Sequence, residues 1–230
     1  MNDGGRSRVG VAPPTSASTG PVLRTGQVRQ PKTLGENALL EKQKRGVRMP
    51  TLGVDVVVVD AGRVLLTKRA DFAVWCLPGG GVDAGETVAQ AAIREAHEET
   101  GIQIELTRLV GIYSRPRWRK GGDHDILFLA KPVSGLLTPA VGEVVAVDYF
   151  DPDNLPEPLL AWHRQRIIDA LNGVSGVVCL QDTPWPFPEG LSFQELSRLQ
   201  DQMGVSKQEA LLMHFTTYDS SGDSVEVDGK

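Results

Sequence analysis

The chain has 230 residues, of which 40% are hydrophobic and 23% charged, with a formal net charge of −5; that supports one substantial core with appendages. No apolar run approaches the roughly 20 residues of a membrane span, and the N-terminus carries Arg6 and Arg8 but no apolar segment of a secretory signal. Residues 1–50 carry a net +6 and residues 51–230 a net −11, so the acidic body disfavours nucleic acid as a partner.

Residues 1–48 form a basic N-terminal arm rich in Gly, Ser, Thr, Pro and Arg. Their composition cannot offset the entropy of ordering and predicts disorder, apart from a short helix over Glu36–Arg45. Met49 stands directly before the first strand, and a translation start there is one expectation; an intact mass of the full chain from native protein rejects it. The main domain is expected over 49–173. Asp55–Val59 and Arg63–Thr67 read as a hairpin turned through Asp60-Ala61-Gly62. A helix follows from about Thr87, ended by Gly101 as a left-handed cap. Glu105–Tyr113, Ile126–Lys131 and Val144–Phe150 read as strands. Leu159–Leu171 reads as an amphipathic helix, with Leu160, Ile167, Ile168 and Leu171 inward and Arg164 and Arg166 outward. Strands interspersed with helices in mixed order predict a three-layer α/β/α sandwich around a mixed sheet.

Residues 174–218 read as a C-terminal extension: a strand at Val177–Leu180, a stiff aromatic link at Pro184–Pro188, and two helices opened by the capping boxes Ser192/Glu195 and Ser206/Glu209. Residues 219–230 read as a frayed acidic tail. Cys76 and Cys179 make neither a disulfide framework nor a metal-ligand spacing; free thiols suit a reducing cytoplasm.

The chemistry concentrates in the helix after Thr87. Glu95, Glu98 and Glu99 fall within a sector of roughly 100° of its surface. Like charges at these spacings repel, and near a helix C-terminus the dipole favours cations. The same sector is apolar one turn earlier, at Val88, Ala91 and Ala92. The helix therefore packs on a sheet at its start and opens an acidic face at its end, where a hard divalent cation would compensate the charge.

Gly80, Glu86, Arg94, Glu95, Ala96, Glu98, Glu99, Gly101 and Ile102 stand at the spacing of the Nudix box, and the flanks Val64–Arg69 and Trp75–Gly80 are similar to that family as well. The chain thus resembles Nudix hydrolases over roughly residues 50–173. The resemblance implies the sandwich fold, Mg²⁺ (or Mn²⁺) as cofactor, and hydrolysis of a small-molecule nucleoside diphosphate linked to another group. It makes Glu95 and Glu99 direct metal ligands, Glu98 a ligand or water-mediated partner, and the backbone around Gly80 a further ligand. Arg94 would hold the carboxylates, and Glu86 would support the loop. Glu143 is the best candidate for an acid, base or ligand outside the box, with His124 as an alternative base. Family members often pair as homodimers.

Outside the box, Ser114–Gly122 brings four cations together with a tryptophan. Arg115, Arg117 and Trp118 are candidate substrate contacts, gripping phosphate and stacking a base or ribose. Pro116 lies near where ADP-ribose-cleaving members of the family keep a proline. ADP-ribose or a nucleotide sugar is the leading substrate expectation; the alternatives are an oxidised (deoxy)nucleoside triphosphate, a non-catalytic Nudix-fold nucleotide sensor, and a protein acting on RNA 5′ ends through the basic arm.

Overall fold

The computed structural model describes residues 49–71, 73–118, 121–184 and 220–230. The expected N-terminal arm, Arg119 and Lys120 of the basic loop, and both expected C-terminal helices lie outside the described residues.

The described strands are β1 (Thr51–Asp60), β2 (Arg63–Arg69), β3 (Trp75–Cys76), β4 (Gly79–Gly81), β5 (Ile102–Arg115), β6 (Asp123–Gly135), β7 (Val144–Phe150), β8 (Val177–Leu180) and β9 (Ser224–Val227), with helices α1 (Val88–Thr100) and α2 (Ala161–Leu171). The sheet runs β3-β2-β1-β6-β5-β8-β9, with β4 paired to β1 and β7 to β2. It is mixed: β1 lies parallel to β6, and β5 parallel to β8. Val54–Val58 of β1 is buried on both sides, which explains a strand that reads as a nearly continuous apolar run.

Two cores lie on the two faces of this sheet. Ala91, Ala92 and Ala96 of α1 pack with Val54, Val56 and Val58 on one side. Ile167 and Ala170 of α2 pack with Val57, Tyr113 and Val177 on the other. This is the expected sandwich.

Helix α1 starts with a reciprocal capping box. Thr87 N–H donates to Gln90 Oε1 at 2.8 Å and Gln90 N–H to Thr87 Oγ1 at 3.2 Å, satisfying two otherwise orphan donors. It ends at Gly101, whose φ of 75° suits a residue without Cβ. Two of its last carbonyls find partners in the chain before β7: Thr138 N–H donates to Thr100 O at 2.8 Å and Ala140 N–H to Glu99 O at 3.3 Å.

Three expectations are corrected. Arg166, expected outward, is fully buried, while Ile168 and Leu171, expected inward, are 47% and 39% exposed. The inward face of α2 is Trp162, His163, Arg166, Ile167 and Ala170, because acidic partners beneath the helix hold the guanidinium. The tail expected to fray carries β9, paired antiparallel to β8, and Ser175 and Lys230 exchange backbone hydrogen bonds at 2.9 Å. The strand expected to begin at Glu105 begins at Ile102, directly after the helix cap.

Candidate active site

Strand β4 brings the glycines onto the end of α1. Val56 N–H donates to Pro78 O at 2.9 Å and Val82 N–H to Leu52 O at 3.3 Å, so the intervening Val54–Gly80 pair faces inward across the ladder, and the Asp55–Gly79 pair faces away from it. The Gly79 N–H accordingly reaches Glu99 Oε2 at 3.2 Å. Its carbonyl leaves the ladder on that same side, so Gly79, rather than the expected Gly80, turns a backbone oxygen toward the acidic helix. Gly80 contributes space: a Cβ there would stand 2.5 Å from the carboxylate of Glu95.

Arg94 gathers the remaining carboxylates. Its Nε and Nη2 donate to Glu86 at 3.1 and 2.6 Å, its Nη1 to Glu95 at 2.8 Å and Glu98 at 3.1 Å, and its Nη2 also to Gly81 O at 3.0 Å. Hydrogen bonds to Glu86 and Glu95 hold the guanidinium protonated, and the same contact lowers the Glu86 pKa. Glu99 stands apart from this fork. Burial pushes its carboxyl up to about 8, against the opposing Gly79 N–H, and burial also raises Glu95. Among the described residues no three acidic, His or Cys side chains are already gathered as a metal cluster. The donor set nevertheless fits a hard cation. Glu95 and Glu99 flank a glycine backbone with no side chain in the way, and the buried Glu99 charge calls for a positive partner.

A cavity of about 330 Å³ adjoins this backbone. Gly79–Gly81, Asp55 and Arg69 line one part of it, and Arg115, Trp118 and Trp162 another. Asp71 grips Arg69 through two hydrogen bonds of 2.9 and 2.8 Å, and the Arg69 charge acts on Glu99. Arg115 and Trp118 are buried, at 7% and 5% exposure. The Arg115 guanidinium lies over the rings of Trp118 and Trp162, at 5.3 and 4.8 Å from their centroids. These two rings meet edge-on at 5.1 Å. Arg117 does not line the cavity; it is exposed and pairs with Asp182 at 2.7 Å.

Glu143 is exposed in the turn before β7. Its carbonyl accepts from Ala70 N–H at 2.8 Å, and Ala140 in the same segment donates to Glu99 O, which ties this turn to the acidic end of α1. His124 instead bonds Ser114 Oγ through Nδ1 at 3.1 Å and does not line the cavity.

The cavity wall also carries an ionic group that the sequence did not reveal, with Asp55, Arg115, Asp123 and Asp125 lining the cavity and the fully buried Arg166 joined to them. Arg166 bonds Asp55, and its Nη1 reaches Asp125 at 2.9 Å. Arg115 Nη2 reaches Asp125 at 2.9 Å and Asp123 at 3.5 Å. Burial raises the Asp55 carboxyl to about 6, with Arg166 opposing. His163 Nδ1 accepts from Leu77 N–H at 2.9 Å, and burial drives its pKa well below the usual imidazole range. It is therefore a neutral anchor for the chain entering β4. The sequence signal was Asp55 inside an apolar strand, which demands a buried cation.

The family model for the NUDIX domain matches residues 49–171, more than half of the chain. The chain belongs to the NUDIX domain family. Nudix hydrolases are pyrophosphohydrolases of nucleotide derivatives and generally need divalent metal ions. This Nudix hydrolase is 35% identical over 130 residues to a Bacillus subtilis protein named provisionally as an 8-oxo-dGTP diphosphatase, covering 56% of the present chain and 85% of that one. It is 36% identical over 123 residues to an ADP-ribose pyrophosphatase of Methanocaldococcus jannaschii, covering 52% and 71%. The structure of a mutator MutT protein from Bacillus halodurans superposes with a TM-score of 0.50 at 25% identity, over 60% of this chain and 93% of that one. Among the described residues no helix is long and apolar enough to cross a membrane.

Proposed function

We propose that this Nudix hydrolase cleaves the pyrophosphate linkage of a nucleoside diphosphate derivative, with ADP-ribose as the leading substrate. The observation that carries the reading is the placement of Glu99, held by the Gly79 N–H at 3.2 Å beside the cavity-lining glycines. Glu95 and Glu99, with the Gly79 carbonyl, would hold Mg²⁺ or Mn²⁺. When bound, such an ion neutralises phosphate charge and lowers the pKa of a bound water.

The chain's own residues then divide the work. Arg94 keeps Glu95 and Glu98 in register through a fork that lysine could not reproduce. Glu99, ionised when it holds the ion, is suited to take the proton of the attacking water. Arg69, fixed by Asp71, offers a cation to the diphosphate. The Trp118–Trp162 wall gives an aromatic boundary to the group beyond it. Catalysis on this scheme is mainly positioning and charge stabilisation.

The M. jannaschii relative's name supports ADP-ribose, and the B. subtilis relative's name supports the second reading, an oxidised nucleoside triphosphate. The acidic set argues against a sensor, since binding alone needs no hydrolytic ligand set. A chromatographic product assay with ADP-ribose, UDP-glucose and 8-oxo-dGTP, each with Mg²⁺ or Mn²⁺, tests this. The expected products from ADP-ribose and water are AMP and ribose 5-phosphate. Turnover of 8-oxo-dGTP alone replaces the leading substrate with the second; no turnover of any pyrophosphate compound removes the reading.

A further inference from the structure

Gln181 lies beyond the part of the chain that matches the family, in the segment leaving β8, yet it is only 1% exposed. Its Oε1 accepts from Arg166 Nε at 3.0 Å and Nη2 at 2.8 Å, and its Nε2 donates to Trp162 O at 3.0 Å. Its backbone N–H is fixed to Ser114 O at 2.9 Å. The side-chain amide thus spends both of its ends on α2.

This grip decides where Arg166 points. With Nε and Nη2 taken by one oxygen, Nη1 is left to face Asp55 and Asp125. Asp55 in turn packs on Gly79: a Cβ at Gly79 would meet Asp55 Oδ1 at 2.5 Å and Val54 O at 2.2 Å. Gly79 then holds Glu99. An unbroken path of contacts runs from the C-terminal extension to the carboxylate that the proposed chemistry depends on.

We infer that Gln181 is a positioning residue of the active site, setting the Gly79–Glu99 pair through Arg166 and Asp55. The extension after the Nudix core is therefore part of the site's support. Without the amide, a guanidinium buried in an apolar setting must find another acceptor. Its remaining partners are Asp125 and Asp55, and Asp55 is the one packed against Gly79, so a shift of the guanidinium passes through Asp55 to β4. The inference rests on the reading of Glu99 as part of a metal-binding site.

The test measures Mn²⁺ affinity of the full chain by electron paramagnetic resonance of the free ion, alongside thermal melts. Gln181→Leu is expected to weaken Mn²⁺ binding about 10- to 100-fold, the usual cost of losing a group that orients a ligand. Gln181→Glu, whose protonated carboxyl accepts both Arg166 N–H groups on one oxygen and donates to Trp162 O from the other, is expected to restore it. Asp223→Ala removes the carboxylate that accepts from Asp182 N–H at 2.8 Å, loosening the same extension while leaving the Gln181 side chain in place, and is expected to bind Mn²⁺ as the unaltered protein does. If the leucine variant does not fold, Gln181→Asn, which keeps the amide but withdraws it from Arg166, takes its place. Normal affinity in the leucine or asparagine variant overturns the inference. So does failure of the glutamate variant to rescue, or an equal loss in Asp223→Ala, which would mark general loosening. An unaltered protein that binds no Mn²⁺ instead sinks the underlying reading of Glu99.

Discussion

The N–H of Gly79 donates to Oε2 of Glu99 at 3.2 Å, joining a three-residue glycine strand to the last turn of the acidic helix. Because a neutral amide oxygen can accept that same bond, Glu99→Gln keeps the local structure while removing the charge. The expected result is a fall in kcat of about 10²- to 10⁴-fold, the range for a group that moves a proton in the reaction, with a melting temperature in EDTA near neutral pH above that of the unaltered protein, because the amide is spared the cost of the raised carboxyl. Steady-state kinetics on the preferred substrate, with a thermal melt, checks both halves. Retention of most activity would remove Glu99 from the chemistry.

The two adjacent glycines predict opposite kinds of damage. An alanine at Gly79 drives its Cβ into backbone, with Val54 O at 2.2 Å and Asp55 Cα at 2.9 Å. Backbone cannot step aside cheaply, so Gly79→Ala should cost about 1–3 kcal/mol of stability. At Gly80 the obstacle is the Glu95 carboxylate, the movable end of a side chain. Gly80→Ala should fold with little loss and bind Mn²⁺ more weakly. Denaturant titration and metal titration of the pair distinguish them; equal stability losses would show that Glu95 cannot yield.

The box residues were legible because their spacing along one helix is a local property, as were the cap at Gly101 and the alternation of strands. The support beneath them was not. Residues 162, 163, 166, 167 and 170 follow a helical stripe, but two of the five are His163 and Arg166, and charge alone argued for placing Arg166 in solvent. Only the fold shows that Asp55 and Asp125, from β1 and β6, meet beneath that face. Arg115, Arg117 and Trp118 read as one basic, aromatic loop. Their separation into a buried stack and a surface ion pair depends on Trp162 and Asp182, which are distant in sequence. The orientation of Gly79 against Gly80 required the β1–β4 register.

That separation changes what the loop variants should do. Trp118 is buried against Trp162, so Trp118→Ala should cost about 3–5 kcal/mol, and any kinetic change would be mixed with unfolding. Trp118→Phe keeps most of the aromatic wall and should raise KM with kcat nearly intact. Arg117 forms an exposed pair, and Arg117→Ala should cost no more than about 1 kcal/mol; its effect on KM measures whether this cation reaches substrate at all. Melting curves with KM and kcat for the three variants check this. Unchanged KM in both Trp118→Phe and Arg117→Ala would detach the loop from substrate binding.

In the metal-free protein, Glu99 gives a pH dependence opposite in sign to that of an ordinary salt-bridged carboxylate. Burial raises its folded pKa to about 8, above the unfolded value of about 4.3. Between these values the folded state binds more protons than the unfolded state, so stability is lost as pH rises through this window. Asp55, raised to about 6, adds the same sign at lower pH. His163 acts oppositely because its folded pKa is depressed, but its contribution is complete above about 6.5, the ordinary imidazole value. Between pH of about 7 and 8 the Glu99 slope should therefore stand clear. Denaturant midpoints in EDTA should fall with pH across that interval in the unaltered protein and stay flat in Glu99→Gln. Because a bound ion requires the carboxylate form, Mg²⁺ should stabilise more at the upper end of the interval than at the lower and release a proton on binding. Parallel pH profiles for the two proteins would mean that the Glu99 carboxyl is already ionised, and that its environment is wetter than the packing against Gly79 implies.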